Sequence, residues 1–247
     1  MGELIAVLSG KGGTGKTSLC AGIATALAEM GEKVLCIDCD VGLRNLDISL
    51  ALTDSGALSF VDVYKGGYSL SQAVRHNAYP NLSFLTAPVN LQAAQVDSKT
   101  FGAILRQARR QFDYIFLDAP AGLDAGFALC ATHADRIILV TNPELSAIRD
   151  AGRTGQKLEL MKKHSVRIIV NRVRKKILDV TKRTIDDVMD ESGLPLLGVV
   201  PEDECVTLAA AFETPLLKYT RKGAAAACKR IAKRIQGRPE PIDIRQF

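Results

Sequence analysis

The chain has 247 residues, of which 47% are hydrophobic and 24% charged, the balance expected of a globular protein with a sizeable core. No segment approaches the roughly 20 uninterrupted apolar residues of a membrane-spanning helix, and the start, MGELIAV, lacks the basic region of a secretory signal. A cytoplasmic protein is therefore predicted. The formal charge of +5 is compatible with an anionic partner but does not indicate one.

Short apolar runs of strand length alternate along the chain with segments of helical period. The predicted strands are Leu4–Ser9, Lys33–Asp38, Leu82–Ala87, Asp113–Asp118, Arg136–Thr141, Val166–Asn171 and Leu196–Val200. The predicted helices are Ser18–Met30, Ser98–Gln111, Glu144–Lys162, Asp179–Glu191 and Gly223–Ile235. This pattern predicts an α/β fold, a doubly wound and mostly parallel sheet with helices on both faces in a three-layer sandwich. Because no repeat or linker interrupts it, residues 1–237 are predicted to form a single domain and residues 238–247 an extended tail.

The cysteines and the clusters of basic residues do not indicate a metal site or a nucleic-acid-binding site. The six cysteines are Cys20, Cys36, Cys39, Cys130, Cys205 and Cys228. Cys36 and Cys39 are three residues apart but fall in a strand-like run, so we interpret the set as buried free thiols rather than metal ligands. Basic residues concentrate at Arg106–Arg110, Arg172–Lys176 and Arg221–Arg238, which we interpret as solvated helix faces. With no Trp and 5% aromatic residues, the chain lacks a stacking platform for single-stranded nucleic acid.

A phosphate-binding loop follows the first strand. Residues 10–17, GKGGTGKT, match G-x-x-x-x-G-K-[ST] in the strand–loop–helix context that supports such a match. Its glycines let backbone N–H groups point at the phosphates of a nucleotide, and the following helix adds its positive N-terminal end. Lys16 is expected to bridge the β- and γ-phosphates, and the Thr17 hydroxyl to bind Mg²⁺. The predicted contacts of this loop are Gly10, Lys11, Gly12, Gly13, Thr14, Gly15, Lys16, Thr17 and Ser18.

A second lysine, Lys11, stands at the start of the loop. Its side chain cannot easily curl back onto its own phosphates, but it can reach across a symmetric dimer. Here the chain resembles the deviant Walker A ATPases, whose loop reads KGG-x-GK-[ST] and whose leading lysine acts in trans on the neighbour's nucleotide.

Three further segments narrow the resemblance. They are DCDVGLRNLD at residues 38–47, DAPAG at residues 118–122 and TNPELSAIRD at residues 141–150. Together they resemble the MinD branch of septum-site-determining ATPases, from the first strand to about Arg238. The GLRNLD and TNPE-x-S-x-x-RD strings separate this branch from the plasmid-partitioning, flagellar-number and nitrogenase-iron-protein branches.

The resemblance implies roles for carboxylates at strand ends. Asp118 and Asp38 would support the Mg²⁺ shell together with Thr17. Asp40 would orient or activate the attacking water, which makes it the third predicted catalytic residue beside Lys11 and Lys16. For Asp38 and Asp40 the alternative is the capping of a turn or helix.

Base recognition is expected at the carboxyl edge of the sheet. Asn171 carries donor and acceptor atoms, and the resemblance implies that it frames adenine together with Pro201 and Asp203. The preference for ATP over GTP rests on the resemblance alone.

The resemblance also implies partners. ATP would support a two-fold dimer that returns to monomers with ADP. A MinC-like division inhibitor and an activating topology factor are the implied protein partners, and Arg44, Asn45 and Asp150 belong to the region that the family presents to them. The implied location is the cytoplasm, with peripheral binding to the inner face of the cell membrane.

The C-terminal region departs from the family. Members usually end in a short basic amphipathic helix that inserts into anionic lipid. Here Gly223–Gln236 aligns with the last helix of the domain, and the following RPEPIDIRQF has few apolar anchors and no basic face, so weak lipid affinity is expected. The basic segment Lys229–Arg234 could touch anionic lipid, although ordinary helix surface is the simpler interpretation.

Two other functions remain open from the sequence. One is a ParA-like, ATP-dependent DNA-binding partition protein, for which Arg172–Lys176 is the best basic stripe. The other is a soluble adaptor that positions another cellular structure and uses ATP hydrolysis as a timer. The GLRNLD string favours the septum-site function and disfavours DNA as the partner.

Overall fold

The computed structural model describes residues 1–41, 43–53, 55–88 and 96–242. The strands are β1 (Glu3–Leu8), β2 (Val34–Asp38), β3 (Val74–His76), β4 (Tyr79–Leu85), β5 (Tyr114–Asp118), β6 (Arg136–Thr141), β7 (Val166–Val173) and β8 (Leu196–Pro201). Within these ranges they form one sheet in the order β3-β4-β2-β5-β1-β6-β7-β8. Neighbouring strands are parallel except for β3, which runs antiparallel to β4.

Helices connect the strands and cover both faces of the sheet. They are α1 (Lys16–Glu29), α2 (Leu46–Leu50), α3 (Phe60–Tyr64), α4 (Ser98–Ala108), α5 (Ala125–His133), α6 (Leu145–Leu160), α7 (Lys175–Thr181), α8 (Ile185–Ser192), α9 (Glu204–Ala211), α10 (Leu216–Tyr219) and α11 (Gly223–Ile235). A short 3-10 turn at Leu70–Gln72 precedes β3.

Two hydrophobic layers enclose the sheet. On one face α1, α2, α10 and α11 pack against the strands, and on the other α3, α4, α5, α6 and α8 do so. Successive residues of β2 alternate between these layers, because side chains along a strand point to opposite faces. Cys36 joins the first layer and Ile37 the second, and both are fully buried. The predicted α/β three-layer sandwich is thereby confirmed.

The single helix predicted over Asp179–Glu191 is wrong, because the structure has two helices there. Lys182 adopts a left-handed conformation, with φ of 54°, and ends α7. Thr184 then starts α8 with a capping box, in which its side chain and that of Asp187 bond each other's backbone N–H groups. The apolar pattern continues across this break, which is why periodicity alone misses it.

The first residues of the C-terminal tail contact the last helix. Residues 238–242 carry neither helix nor strand, and Arg234 of α11 donates hydrogen bonds to the carbonyls of Glu240 and Pro241. The rest of the predicted tail, residues 243–247, lies outside the described residues.

All six cysteines are free; five are buried and Cys205 is half-buried. In the ranges that the structure covers, no helix has both the length and the apolar character to cross a membrane.

Candidate active site

The predicted site residues gather at the carboxyl edge of the sheet. The central strand β1 lies between β5 and β6, and the phosphate loop connects it to α1. The segments after β2, β5, β7 and β8 emerge at the same edge. Because ligands of open α/β sheets bind outside the carboxyl ends of the strands, this edge is where a nucleotide is expected.

The phosphate loop has a backbone that depends on glycine. Gly13 and Gly15 have φ of 80° and 84°, a region that disfavours other residues. A Cβ on Gly15 would lie 2.3 Å from Nδ2 of Asn171, and one on Gly10 would lie 2.5 Å from Oγ1 of Thr154. Gly15 also starts α1 without a side-chain cap, and the first turn of α1 holds no acidic residue. The N–H groups of that turn are therefore available to an anion.

A buried ion pair lies at the base of the loop. Nζ of Lys16 lies 2.8 Å from Oδ1 of Asp118 and 3.4 Å from Oγ1 of Thr17. Burial disfavours the lysine charge, but the charge and hydrogen bond of Asp118, with smaller contributions from Cys20 and Asp40, hold the pKa of Lys16 above its ordinary value. Lys16, the predicted phosphate-binding cation, therefore contacts Asp118, a predicted metal-supporting carboxylate.

Asp38 is the second buried carboxylate of the site and lies opposite Asp118 in the β2–β5 register. Its Oδ1 accepts a hydrogen bond from the N–H of Asp40 at 2.9 Å and its Oδ2 one from the N–H of Leu46 at 3.2 Å. Oδ1 of Asp40 accepts in turn from the N–H of Leu43 at 3.3 Å. Both aspartates therefore stabilise the turn after β2, as the capping alternative proposed. The binding of Mg²⁺ by Asp38 and the orientation of water by Asp40 stay predictions.

The acidity of Asp38 reflects its surroundings. Burial, followed by the neighbouring charge of Asp118, raises the pKa of Asp38 from 3.8 to about 7. Its two backbone hydrogen bonds act in the opposite direction but do not compensate. A divalent cation placed between Asp38 and Asp118 would remove the repulsion between their charges.

The residues present fit Mg²⁺. Over the described part of the chain, no three His, Cys, Asp or Glu side chains form a self-contained metal cage. Magnesium does not need one, because it commonly binds one or two protein oxygens and completes its shell with water and phosphate oxygens. Thr17, Asp38 and Asp118 would supply those protein oxygens. When bound, the ion neutralises and aligns the phosphate oxygens.

A cavity of about 200 Å³ lies beside the loop and contains much of the predicted base site. Its walls include Gly15, Ser18, Asn171, Pro201 and Asp203. A larger cavity, of about 830 Å³, lies at the opposite edge of the sheet between Lys33 and Asp135, so size alone does not locate the site.

Two polar side chains of the small cavity, those of Asn171 and Asp203, already have hydrogen-bond partners. Nδ2 of Asn171 donates to the carbonyl of Thr14 at 2.8 Å. The two carboxylate oxygens of Asp203 accept from the N–H groups of Cys205 and Ala224, each at 2.9 Å. Asp203 thus joins α9 to α11 and shapes the cavity, and its contact with a base stays a prediction.

Lys11 points away from its own phosphate loop. Its Nζ lies 3.2 Å from Oε2 of Glu144 and donates to Oγ of Ser146 at 2.9 Å, and its side chain is 40% exposed. These contacts hold the amine at the start of α6, on the outer surface of the site. From there the side chain is able to reach a second molecule.

The predicted partner residues lie on two separate elements. Arg44 donates from Nε and Nη2 to Oγ1 of Thr86 at 3.2 and 3.0 Å, so its guanidinium is drawn toward the end of β4. Asn45 beside it is exposed, whereas Asp150 is half-buried in α6. Gly42, within the same motif as Arg44, lies outside the described residues.

Sequence reasoning missed Arg172 and Glu202. Arg172 was counted among the basic residues of Arg172–Lys176, yet its guanidinium binds both carboxylate oxygens of Glu202, at 2.8 and 3.0 Å. It also donates to the carbonyl of Gly13 in the phosphate loop at 3.1 Å. Its position directly after Asn171 was the available signal, but nothing in the sequence marks which way an arginine points.

Comparison with known proteins decides the family. Residues 5–216 match the CobQ/CobB/MinD/ParA nucleotide binding domain. The chain is 38% identical over 245 residues to the putative septum site-determining protein MinD of Nephroselmis olivacea, which covers 98% of this chain and 89% of that protein. The chain belongs to the MinD family.

Solved structures agree with this assignment. The MinC:MinD cell division protein complex of Aquifex aeolicus contains a chain of TM-score 0.90 and 33% identity, with 98% of each chain covered. The septum site-determining protein MinD of Pyrococcus horikoshii OT3, complexed with Mg-ADP, has a TM-score of 0.83 and 30% identity over 95% of this chain and 96% of that one. The predicted resemblance is confirmed, and the chain carries the nucleotide binding domain of this P-loop ATPase family. The Pyrococcus horikoshii protein is bound to Mg-ADP, and the related MinD of Pyrococcus furiosus is a cell division ATPase.

Proposed function

We propose that this chain is an ATP-dependent dimerisation switch that helps to place the division septum by recruiting a division inhibitor. The observation that carries the proposal is the contrast between its two loop lysines. Lys16 is buried against Asp118, whereas Lys11 lies on the surface and contacts Glu144 and Ser146. This contrast supports assigning Lys16 to the chain's own nucleotide and Lys11 to the nucleotide of a second copy.

The residues divide the chemistry between them. Phosphoryl transfer depends on positioning and on neutralising the phosphate oxygens more than on a strong base. The first turn of α1 and Lys16 bind and orient the phosphates, and Asp40 orients the water. Lys11 of a second copy would contact the γ-phosphate from the other side, so the dimer forms with ATP and weakens after hydrolysis.

The partners follow from the family. The Aquifex aeolicus structure is a complex of MinC with MinD, and a MinC-like inhibitor is the partner we propose here, with an activating topology factor as the second. Arg44, Asn45 and Asp150 are the proposed contact residues. The proposed location is the cytoplasm and, with ATP, the inner face of the membrane.

Sedimentation of the Asp40→Ala variant tests the switch. Because this variant should bind ATP without hydrolysing it, we expect a dimer with Mg·ATP and a monomer with Mg·ADP. Adding Lys11→Ala should restore the monomer with ATP while ADP affinity stays unchanged. A monomer of Asp40→Ala at saturating ATP would overturn the mechanism.

Co-sedimentation with anionic liposomes tests the location. Pelleting with ATP but not with ADP would support a dimer that creates a membrane-binding surface. No pelleting with either nucleotide would leave a soluble switch that acts through a protein partner.

The DNA-binding alternative loses support from the contacts of Arg172. The basic stripe it requires begins at this residue, whose guanidinium is directed to Glu202 and Gly13. A DNA retardation assay with ATP at two salt concentrations distinguishes the functions, because non-specific DNA binding weakens steeply with salt.

A further inference from the structure

Arg172 connects three parts of the site. Its Nε and Nη2 bind the two carboxylate oxygens of Glu202, which follows β8. Its Nη1 donates to the carbonyl of Gly13, in the loop after β1. Glu202 and Gly13 belong to different segments of the chain. The planar guanidinium donates hydrogen bonds to both residues at once, which a lysine amine cannot do in this geometry.

The backbone around Arg172 is shaped to make these contacts. The residue has φ of 57°, in the left-handed region that side-chain-bearing residues rarely adopt. The register between β7 and β8 shifts between Val170 and Val173, so the strand bulges where Asn171 and Arg172 stand. Bulges redirect side chains next to functional sites, and strain of this kind persists only where surrounding contacts enforce it.

Asn171 and Arg172 contact successive carbonyls of the phosphate loop. Asn171 donates to the carbonyl of Thr14 and Arg172 to that of Gly13. Two adjacent carbonyls held from outside would keep the loop N–H groups free to face a phosphate, as phosphate binding requires. Arg172 and Glu202 also line the small cavity beside the loop.

We propose that Arg172, oriented by Glu202, is a positioning residue that holds the phosphate loop in its phosphate-binding shape. The inference rests on the proposed function, since it assumes that this loop holds a nucleotide. It predicts that Arg172 sets the affinity for the phosphate chain itself, whatever the base.

The test measures affinities of Mg·ADP and Mg·tripolyphosphate, the second by competition against a fluorescent ADP analogue. We expect Arg172→Ala and Arg172→Lys each to weaken both ligands by about tenfold, the usual effect of losing a charge-assisted hydrogen bond. At saturating ATP kcat should change little while KM rises. Arg174→Ala is the matched control, because Arg174 lies 3.9 Å from Glu202 and is 62% exposed; it should change either affinity less than twofold.

A double-mutant cycle tests the role of Glu202. Because Glu202 acts through Arg172, the double variant Arg172→Ala/Glu202→Gln should bind no more weakly than Arg172→Ala alone. Unchanged affinity in Arg172→Ala, or a loss confined to ADP with tripolyphosphate unaffected, would overturn the inference. If the wild-type protein bound neither ligand, the proposed function would itself be wrong and the inference with it.

Discussion

The amine of Lys16 lies 2.8 Å from Oδ1 of Asp118, and both side chains are almost fully buried. The two residues meet because β1 and β5 are neighbours in the sheet and both end at the site. A phosphate oxygen would compete with Asp118 for this amine. We therefore expect the same pair to contribute to the stability of the fold and to the proposed chemistry.

Removing the charge of Lys16 should affect both. In Lys16→Gln the carboxylate of Asp118 stays buried without its cation, so the free energy of unfolding should fall by about 3 kcal/mol. Phosphate release from ATP should be lost. Urea unfolding at pH 7 measures the first effect and a phosphate assay the second. The double variant Lys16→Gln/Asp118→Asn should regain most of the stability but none of the activity. A single variant as stable as the wild type would contradict a role for the pair in folding.

The raised pKa of Asp38 predicts a pH effect on stability. The pKa is about 7 in the folded protein against an ordinary value of 3.8. Between these values the folded protein keeps a proton that the unfolded chain has released, so the contribution of Asp38 to stability falls as pH rises toward 7. The full contribution of Asp38 to the free energy of unfolding is at most about 4 kcal/mol. Urea unfolding of the protein alone, at pH 5 and pH 8, measures the change.

Asp38→Asn provides the control for this effect, because it cannot titrate. The stability of the wild type relative to Asp38→Asn should therefore be higher at pH 5 than at pH 8, whichever of the two proteins is the more stable. A difference independent of pH would show that Asp38 has an ordinary pKa. Carboxylates distant from Asp38 are common to both proteins and cancel in the comparison, so the measured change reports Asp38 together with its neighbour Asp118.

Features of the fold that depend on residues close together in the chain can be predicted from the sequence, whereas features that depend on distant residues cannot. Alternating apolar runs predict the parallel strands, and GKGGTGKT predicts the loop after β1, because both are local patterns. The break between α7 and α8 depends on one left-handed residue, Lys182, and the hydrophobic pattern continues through it. The antiparallel β3, of three residues, is too short to show a period.

The electrostatics and contacts of the site are non-local. The pKa of Asp38 depends on Asp118, and Arg172 donates a hydrogen bond to the carbonyl of Gly13 in the phosphate loop, 159 residues away. Residue type predicts that such groups can bind ligands or metals. Only the fold determines which groups neighbour each other and which of their atoms already have partners.

Two glycines of the phosphate loop should differ in their tolerance of a side chain. Gly15→Ala places a Cβ at positive φ and 2.3 Å from Asn171, so we expect a loss of about 2 kcal/mol or more in unfolding free energy. Gly12→Ala places its Cβ 4.0 Å from the Cβ of Ala121, an ordinary van der Waals contact, and should change stability by less than about 0.5 kcal/mol. Urea unfolding of the protein alone measures both.

Adding Asn171→Ala to Gly15→Ala separates the two causes. Asn171→Ala relieves the clash but leaves the unfavourable φ and removes the hydrogen bond to Thr14. Measured against Asn171→Ala alone, Gly15→Ala should therefore cost less stability than it does in the wild type. Equal stability of the Gly12 and Gly15 variants would contradict this account of the loop.

The contacts of Lys11 predict how readily the dimer forms. Glu144 and Ser146 hold its amine in the monomer, and a second copy must draw it away. In Glu144→Gln that hold weakens, so in the Asp40→Ala background with ATP the dimer should form at a lower concentration. An exposed ion pair contributes at most about 1 kcal/mol, or about fivefold, and the symmetric dimer draws away two Lys11 side chains, so the shift is at most about 25-fold. Sedimentation velocity over a concentration series measures the change. Glu159→Gln, a change of the same charge later in α6, is the control and should leave the dimer unchanged. A weaker dimer in Glu144→Gln would mean that Glu144 supports the interface instead of restraining Lys11.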